Sequence, residues 1–497
     1  MLRDDRSTGY RVSPSPTRTD RRGPRAGKGT QSSSGRTGQI RFWICVYLVL
    51  WLIEGGLRRW ILPSLATPLL VVRDPVVLVI YWLTLRSGMF PKNNLITATL
   101  FLGAVSWFFA VTLGHMDPLV ASYGVRCDFF HVPLIFVMGR VLTRSDVDSI
   151  CRTALWVSIP FTLLLIAQFY SPQSSFLNRG VGGDLSGAGF SGALGRFRPP
   201  GTFSFINGPA SLYPMLCCAW FYLVCRRKIS LLLMGLSGGA ILLAIPFSIS
   251  RSLFIGELVA ICFGVAAIGF GGAMSFKLVF RSLLGGGVAI ALFCCIPGTS
   301  EAFAAFADRW EKSTTNRGGV QEAIVGRVVE GLLQPFSNMP VIGYGSGIST
   351  IVGQKLATGT RGFGYSEGEW GRILMEGGLV LGPLVLGYRI SILCVLALAT
   401  CRAALRRDWC SLPFLAVSAQ MILLGQWGQA TSLGASIITG GFCLAASRPA
   451  GVGSRRRKSP TRNRRSARRV SRRRDQTPHF QNRAPGVQAA EATSGRN

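Results

Sequence analysis

GFGYSEGEWGRILMEGG, residues 362–378, closes the one long polar interruption in an otherwise apolar chain. Within it Glu367, Glu369, Arg372 and Glu376 fall inside ten residues, just where the next apolar run begins. Charge therefore collects where the chain enters hydrocarbon, and each desolvated charge there is costly. Two readings fit: a solvated helix start, with acids near the positive end of the helix dipole, or half of an active site. The whole interruption runs from Pro297 to Arg372 and is the chain's one long internal excursion out of the membrane.

Composition supplies the membrane. A soluble chain carries about a quarter charged residues, whereas these 497 residues are 15% charged and 48% hydrophobic, with a mean hydropathy of +0.36. The expected fold is all-α, a polytopic transmembrane helical bundle of about 12 spans. Runs of the ~20 apolar residues that a span requires lie near 41–57, 67–85, 95–113, 119–140, 149–170, 203–225, 229–249, 252–271, 276–296, 373–400, 411–427 and 431–447. Only Ser250, Arg251 and Ser252 separate the seventh from the eighth; if those two were one broken helix, the count would be odd and the termini would lie on opposite sides.

The net charge of +32 suggests nucleic acid until it is located. Residues 1–41 hold ten Lys/Arg against three Asp, and residues 448–497 hold fifteen against two acids, so the tails account for twenty of the +32. Both are rich in Ser, Gly, Pro and Arg and too poor in apolar residues to offset ordering entropy. The expected organisation is a disordered basic tail at 1–40, a membrane domain at 41–447 with an extracytoplasmic loop at 297–372, and a second disordered basic tail at 448–497. Anionic membrane lipid, not nucleic acid, is the expected partner of the tails.

Orientation follows from the basic residues of short loops, which favour the cytoplasm. With the N-terminus inside, the inner loops hold Arg86 and Lys92; Arg140 and Arg144; Arg226, Arg227 and Lys228; Lys277; and Arg402, Arg406 and Arg407. Both termini are then cytoplasmic. The polar first forty residues argue against a cleavable signal peptide, so the first helix directs insertion. The thirteen cysteines lie in or beside apolar runs without CxxC or Cys/His spacing, so neither a metal site nor a disulfide framework is expected, and no cofactor.

Polar residues gather on the opposite face. Glu54, Arg58, Arg59, Arg73 and Asp74 flank the first outer turn; Glu54 and Arg58 are four apart and can pair along a helix, and such pairs would lock two helix ends together. Arg126, Asp128 and His131 sit in an apolar context and should face the bundle interior, the imidazole as a satisfied structural group. The loop after the fifth run is Gly-rich and carries Arg179, Arg196 and Arg198. Converging backbone N–H groups in such loops can hold an anion, although the spacing matches neither a P-loop nor a dinucleotide fingerprint. The Pro-Pro-Gly turn after Arg198 would fix where that guanidinium points.

From RPPGTFSFINGPASLYP (198–214) onward, the chain resembles the bacterial O-antigen ligase and polymerase superfamily, whose members carry an Arg before a GTF-x-x-x-N segment entering a helix. The resemblance continues through SISRSLFIGELVA, ADRW at 307–310, VGRVVEGL at 325–332, VIGYGSG at 341–347 and EGEWGRILMEGGLVLG at 367–382, covering roughly residues 196–382. It implies a GT-C type membrane glycosyltransferase that polymerises or ligates glycan from a polyprenyl-diphosphate-linked donor onto a glycan or lipid acceptor, on the outer face of the membrane. Arg251 and Arg327 match the family's diphosphate-binding arginines. At the family's histidine position, nine residues before the Glu of E-x-G, stands Glu367.

The residues by themselves are chemically compatible with that activity. A departing diphosphate needs positive charge, and a guanidinium can hold phosphate oxygens bidentately without a metal. The candidate catalytic residues are Glu367, Glu369, Arg251, Arg327 and Arg372, and the candidate substrate-binding residues are Arg196, Arg198, Asn207 and Arg361. A carboxylate, Glu367 or Glu369, would accept the proton of the acceptor hydroxyl. The competing reading is a secondary transporter or polysaccharide-export protein, since broken helices and buried charge also mark substrate pathways. A purely structural membrane scaffold is a third.

Overall fold

Helices start where short polar side chains can cap free N–H groups. Asn93 caps α3 (Asn94–Thr112), Asp117 caps α4 (Pro118–Val125), Thr143 and Asp146 form a capping box at α6 (Arg144–Tyr170), and Ser230 caps α8 (Leu231–Ser248). These elements belong to a computed structural model that describes residues 29–187, 190–271, 280, 287, 299–315, 333–360, 362, 364–366 and 368–449. In it α1 (Gly29–Gly56) runs into a π turn, Leu57–Ile61, before α2 (Arg73–Arg86). A second π turn, Arg126–Phe130, joins α4 to α5 (Pro133–Val141). A short antiparallel ribbon, β1 (Phe190–Ala193) and β2 (Arg196–Arg198), with Phe190 opposite Arg198, precedes α7 (Asn207–Cys225). Then come α8, α9 (Arg251–Gly271), α10 (Thr299–Thr315), α11 (Ile351–Thr358), α12 (Glu369–Ala404), α13 (Leu412–Leu423) and α14 (Ala430–Ala446).

Nearly every residue of α7 is buried, as is most of α14, so these two form the centre of the bundle. They can do so because their neighbours approach closely on small residues, the usual substitute inside a membrane for a hydrophobic driving force. A Cβ at Gly256 of α9 would fall 2.6 Å from Pro214 of α7, and one at Gly264 would fall 2.2 Å from Phe221.

Nine helices among the described residues are long and apolar enough to cross a membrane, so by length and composition the chain is a helical, multi-pass membrane protein. They correspond to the first eight expected spans and the tenth. The Ser250–Ser252 break does separate two helices: Ile249 adopts a left-handed conformation (φ 46°) that ends α8, and α9 starts at Arg251. The expected ninth span, 276–296, lies outside the described residues apart from isolated positions. The last two runs form shorter helices. At 12 and 17 residues, α13 and α14 extend about 18 and 26 Å, short of the ~30 Å hydrocarbon layer. Their connecting turn carries the fully buried Trp427, whose indole N–H donates to Met421 O and Ser436 Oγ.

Helix α12 is also not a single rod. Gly378, at φ 62° and ψ −161°, is non-helical inside it and divides it into arms 369–377 and 379–404. The arms fold back on each other: a Cβ at Gly382 would meet Leu374 Cα at 3.0 Å, and Glu369 reaches Arg389. Segment 341–345 crosses the hairpin tip, with Tyr344 N and Gly345 N donating to Met375 O and Glu376 O at 2.9 Å and Leu379 N donating to Val341 O at 3.3 Å. Backbone groups freed by the kink thus find partners within the protein, as hydrocarbon requires.

Gly378→Ala should therefore destabilise the bundle. Its conformation is open essentially to Gly alone, a strain of about 1–3 kcal/mol for other residues, and the new Cβ would lie 2.4 Å from Gly343 N. Gly387→Ala, where nothing lies within 4 Å, is the control. Thermal unfolding in detergent should show a lowered midpoint only for Gly378→Ala; equal midpoints would contradict the hairpin.

Candidate functional site

The end of the bundle where α1 finishes and α4 begins holds two buried ion clusters. In the first, Arg73 Nε donates to Glu54 Oε2 at 3.0 Å and Nη2 to Ala430 O at 2.6 Å, tying α1, α2 and α14 together. Glu54 also faces Arg58 at 3.8 Å, the spacing expected of an i, i+4 pair. Beside them Arg126 grips Asp74 bidentately at 2.5 and 2.9 Å. His131 lies between Asp74 (3.0 Å) and the Tyr47 hydroxyl (3.3 Å), a satisfied imidazole in the bundle interior. Arg58 lies in the first π turn and Arg126 in the second, an irregularity common at functional sites.

The second cluster is formed by the α12 hairpin closing on the Arg126–Phe130 turn. Arg372 donates to Asp128 (2.5 and 3.1 Å), Glu369 (2.9 and 3.1 Å) and Glu376 (2.7 Å). Arg389, ten residues along the other arm, donates to Asp128 at 2.9 Å and Glu369 at 2.6 Å, and its guanidinium lies 3.7 Å from the centre of the Trp427 ring. Glu376 also accepts from Ser349 N at 2.9 Å. All five charged residues are buried. Three acids against two arginines leave one excess negative charge, within reach of the Ser349 amide.

Arginine gathers differently on the loop side. Arg59, fully buried, donates to the carbonyls of Leu177, Arg179, Gly201 and Phe203 at 2.6–3.0 Å, and Gln168 pins Gly201 from α6. These bonds hold the Pro-Pro-Gly turn and with it β2. Arg196 pairs with Glu301 of α10 at 2.5 Å and lies over the rings of Phe169 and Tyr170. Arg198 is close enough to Arg309 and Arg251 to feel both charges; partial burial, reinforced by these two, pulls its guanidinium down to about 10. Arg309 Nη1 donates to Gly192 O at 3.0 Å. Three arginines from β2, α9 and α10 therefore form a positive rim. Nearby in the chain, Asn207 Nδ2 donates to Gln429 Oε1 (2.7 Å) and Gln426 Oε1 (3.3 Å) of the α13–α14 turn.

The structure thus divides the residues expected from sequence into two groups. Glu369 and Arg372 belong to the closed ion cluster and Arg198 and Arg251 to the rim, whereas Arg196 pairs with Glu301 and Asn207 meets the α13–α14 turn. Glu367, Arg327 and Arg361 lie outside the described residues. Arg309, Arg389 and the central position of Asp128 were not singled out. Arg389 did carry a signal, a lone cation in a long apolar run, but its partners are 20 and 261 residues away. A cavity of about 380 Å³ between α1, α6 and α7, lined by Trp51, Phe161, Met215 and Phe442, is almost wholly apolar.

Removing Arg389 would leave three carboxylates to share Arg372, and breaking a buried pair by deleting one partner costs about 3–5 kcal/mol. Arg389→Ala should lower the unfolding midpoint strongly, and Asp128→Asn/Arg389→Ala should recover part of the loss. A double-mutant cycle should give a coupling of at least about 1 kcal/mol; additive effects would contradict the network.

No family model, curated protein or solved structure matches the chain.

Proposed function

We propose that the protein is a membrane glycosyltransferase that moves glycan from a polyprenyl-diphosphate-linked donor to a glycan or lipid acceptor, in the manner of the O-antigen ligases and polymerases that residues 196–382 resemble. The reaction belongs to surface-polysaccharide biosynthesis in the bacterial cell envelope, with the site on the outer face of the inner membrane and both termini in the cytoplasm. The observation that carries the reading is the rim of Arg198, Arg251 and Arg309, three cations from three elements, of which Arg198 stands on the loop that Arg59 holds in place. A diphosphate is the anion whose charge and oxygen count suit several converging guanidinium groups.

In the proposed reaction the acceptor oxygen bonds to the anomeric carbon of the donor, the bond from that carbon to the diphosphate oxygen breaks, and the hydroxyl proton passes to a carboxylate. Glu367 is the proposed acceptor of that proton, because Glu369 is already bound to Arg372 and Arg389. The rim arginines stabilise the charge that builds on the departing diphosphate, and preorganised groups act most strongly where water is excluded. The apolar cavity between α1, α6 and α7 suits a hydrocarbon chain.

A transporter remains the second reading, favoured by the broken helix α12, since discontinuous helices line substrate sites in many transporters. Transfer assays with purified protein and lipid-linked donor separate the two. Arg198→Ala and Arg251→Lys should each slow transfer about a hundred- to a thousandfold, the second because lysine keeps the charge and loses the fork. Glu367→Gln should be similarly impaired. Wild-type rates in all three variants, or no covalent transfer by the intact protein, would refute the proposal.

A further inference from the structure

The end of the bundle opposite the ion clusters holds a groove that glycan transfer does not use. Arg36 of α1 lies eighteen residues before Glu54, about 27 Å along the helix. There residues 36–43 of α1 and 79–87 at the end of α2 border a cavity of about 710 Å³, within the size range of sites that take small molecules.

Its lining is sorted along the helix axes. Arg36, Gln39 and Arg86 stand at the helix ends, and Phe42, Trp43 and Trp82 stand about one to two turns deeper. Phe42 and Trp82 are exposed, and the Arg86 guanidinium lies over the Trp82 ring, 5.2 Å from its centre. Other arginines at this end are neutralised: Arg41 pairs with Asp146 at 3.1 Å and Arg144 with Asp408. Arg36 and Arg86 have no carboxylate partner among the described residues. Arg448 is close enough to Arg41 and Arg140 to feel both charges, so the surroundings are basic as well.

Two cations at the mouth and aromatic walls beneath them suit a single molecule with an anionic head and a hydrocarbon tail. The neighbouring segment of the chain is a poor match, because residues 1–28 hold eight Lys/Arg against three Asp and would add repulsion. Basic pockets between membrane helices do bind anionic lipid head groups, and Trp is at home at the membrane–water boundary.

We propose that the groove between α1 and α2 binds one anionic phospholipid of the surrounding leaflet. Arg36 and Arg86 hold its phosphate oxygens, as guanidinium groups do in pairs of hydrogen bonds, and its acyl chains lie along Phe42, Trp43 and Trp82. The lipid thereby ties the start of α1 to the end of α2. The site stands whether or not the arginine rim receives a diphosphate, since it occupies the other end of α1.

The test is native mass spectrometry of the full chain with phosphatidylglycerol and phosphatidylcholine. The protein should retain one phosphatidylglycerol molecule in preference to phosphatidylcholine. Arg36→Gln/Arg86→Gln should bind it roughly thirtyfold less tightly, the effect of removing two basic residues near a lipid surface. Arg402→Gln/Arg407→Gln, which removes the same charge from the end of α12 and the loop after it, should bind as tightly as the unaltered protein. Equal retention of the two lipids, or equal losses in the two double variants, would overturn the site. A lipid-free dimer that Arg36→Gln/Arg86→Gln abolishes would assign the groove to a second copy instead. Should that variant fail to fold, photoactivatable phosphatidylglycerol on the unaltered protein gives the second measurement. Label should fall on peptides containing residues 36–43 and 79–87 and be competed by phosphatidylglycerol; label elsewhere, or equal competition by phosphatidylcholine, would refute the proposal.

Discussion

The bundle depends on one constraint: charge inside it must be paired. Arg372 meets three carboxylates, Asp128, Glu369 and Glu376, on three faces of its guanidinium, and Arg389 closes the remaining gap between two of them. Ionised groups taken out of water are tolerated only with such geometry. To bring Arg372 and Arg389 together the chain must reverse at Gly378, and to bring Asp128 to both of them α4 must widen into a π turn. The irregular features of the helices thus have a common cause in charge compensation.

That pairing also separates structure from chemistry. A guanidinium whose donors are all engaged has little left for a substrate, which assigns Glu369 and Arg372 to holding the hairpin. On the rim, Arg198 lies within electrostatic reach of Arg251 and Arg309, and the proposed diphosphate would offset the repulsion among them. Arg59 and Gln168 supply the rigidity beneath it, through carbonyls of the same turn that places β2.

Much of the architecture was legible in the sequence because apolar runs report burial directly. The first eight spans, the break before Arg251, the Glu54–Arg58 pairing and the inward-facing His131 could all be read from local pattern. The long pairings could not. Nothing near Arg389 announces that it meets Glu369, and MEGGLVLG reads as one continuous span until the backbone of Gly378 is seen. The expected run 431–447 matches α14 almost residue for residue, whereas the run 411–427 overshot α13, which ends at Leu423, because it took in the turn that carries the buried Trp427.

The central claim is that the arginine rim receives the diphosphate of a lipid-linked donor. Photocrosslinking with a polyprenyl diphosphate in proteoliposomes, followed by mapping of the labelled peptides, tests it most directly. Label should fall on the segments around β2, the start of α9 and α10. It should be competed by unlabelled polyprenyl diphosphate and not by the corresponding alcohol, and should be lost when Arg198, Arg251 and Arg309 are replaced by alanine. Label elsewhere, or equal competition by the uncharged alcohol, would contradict the account.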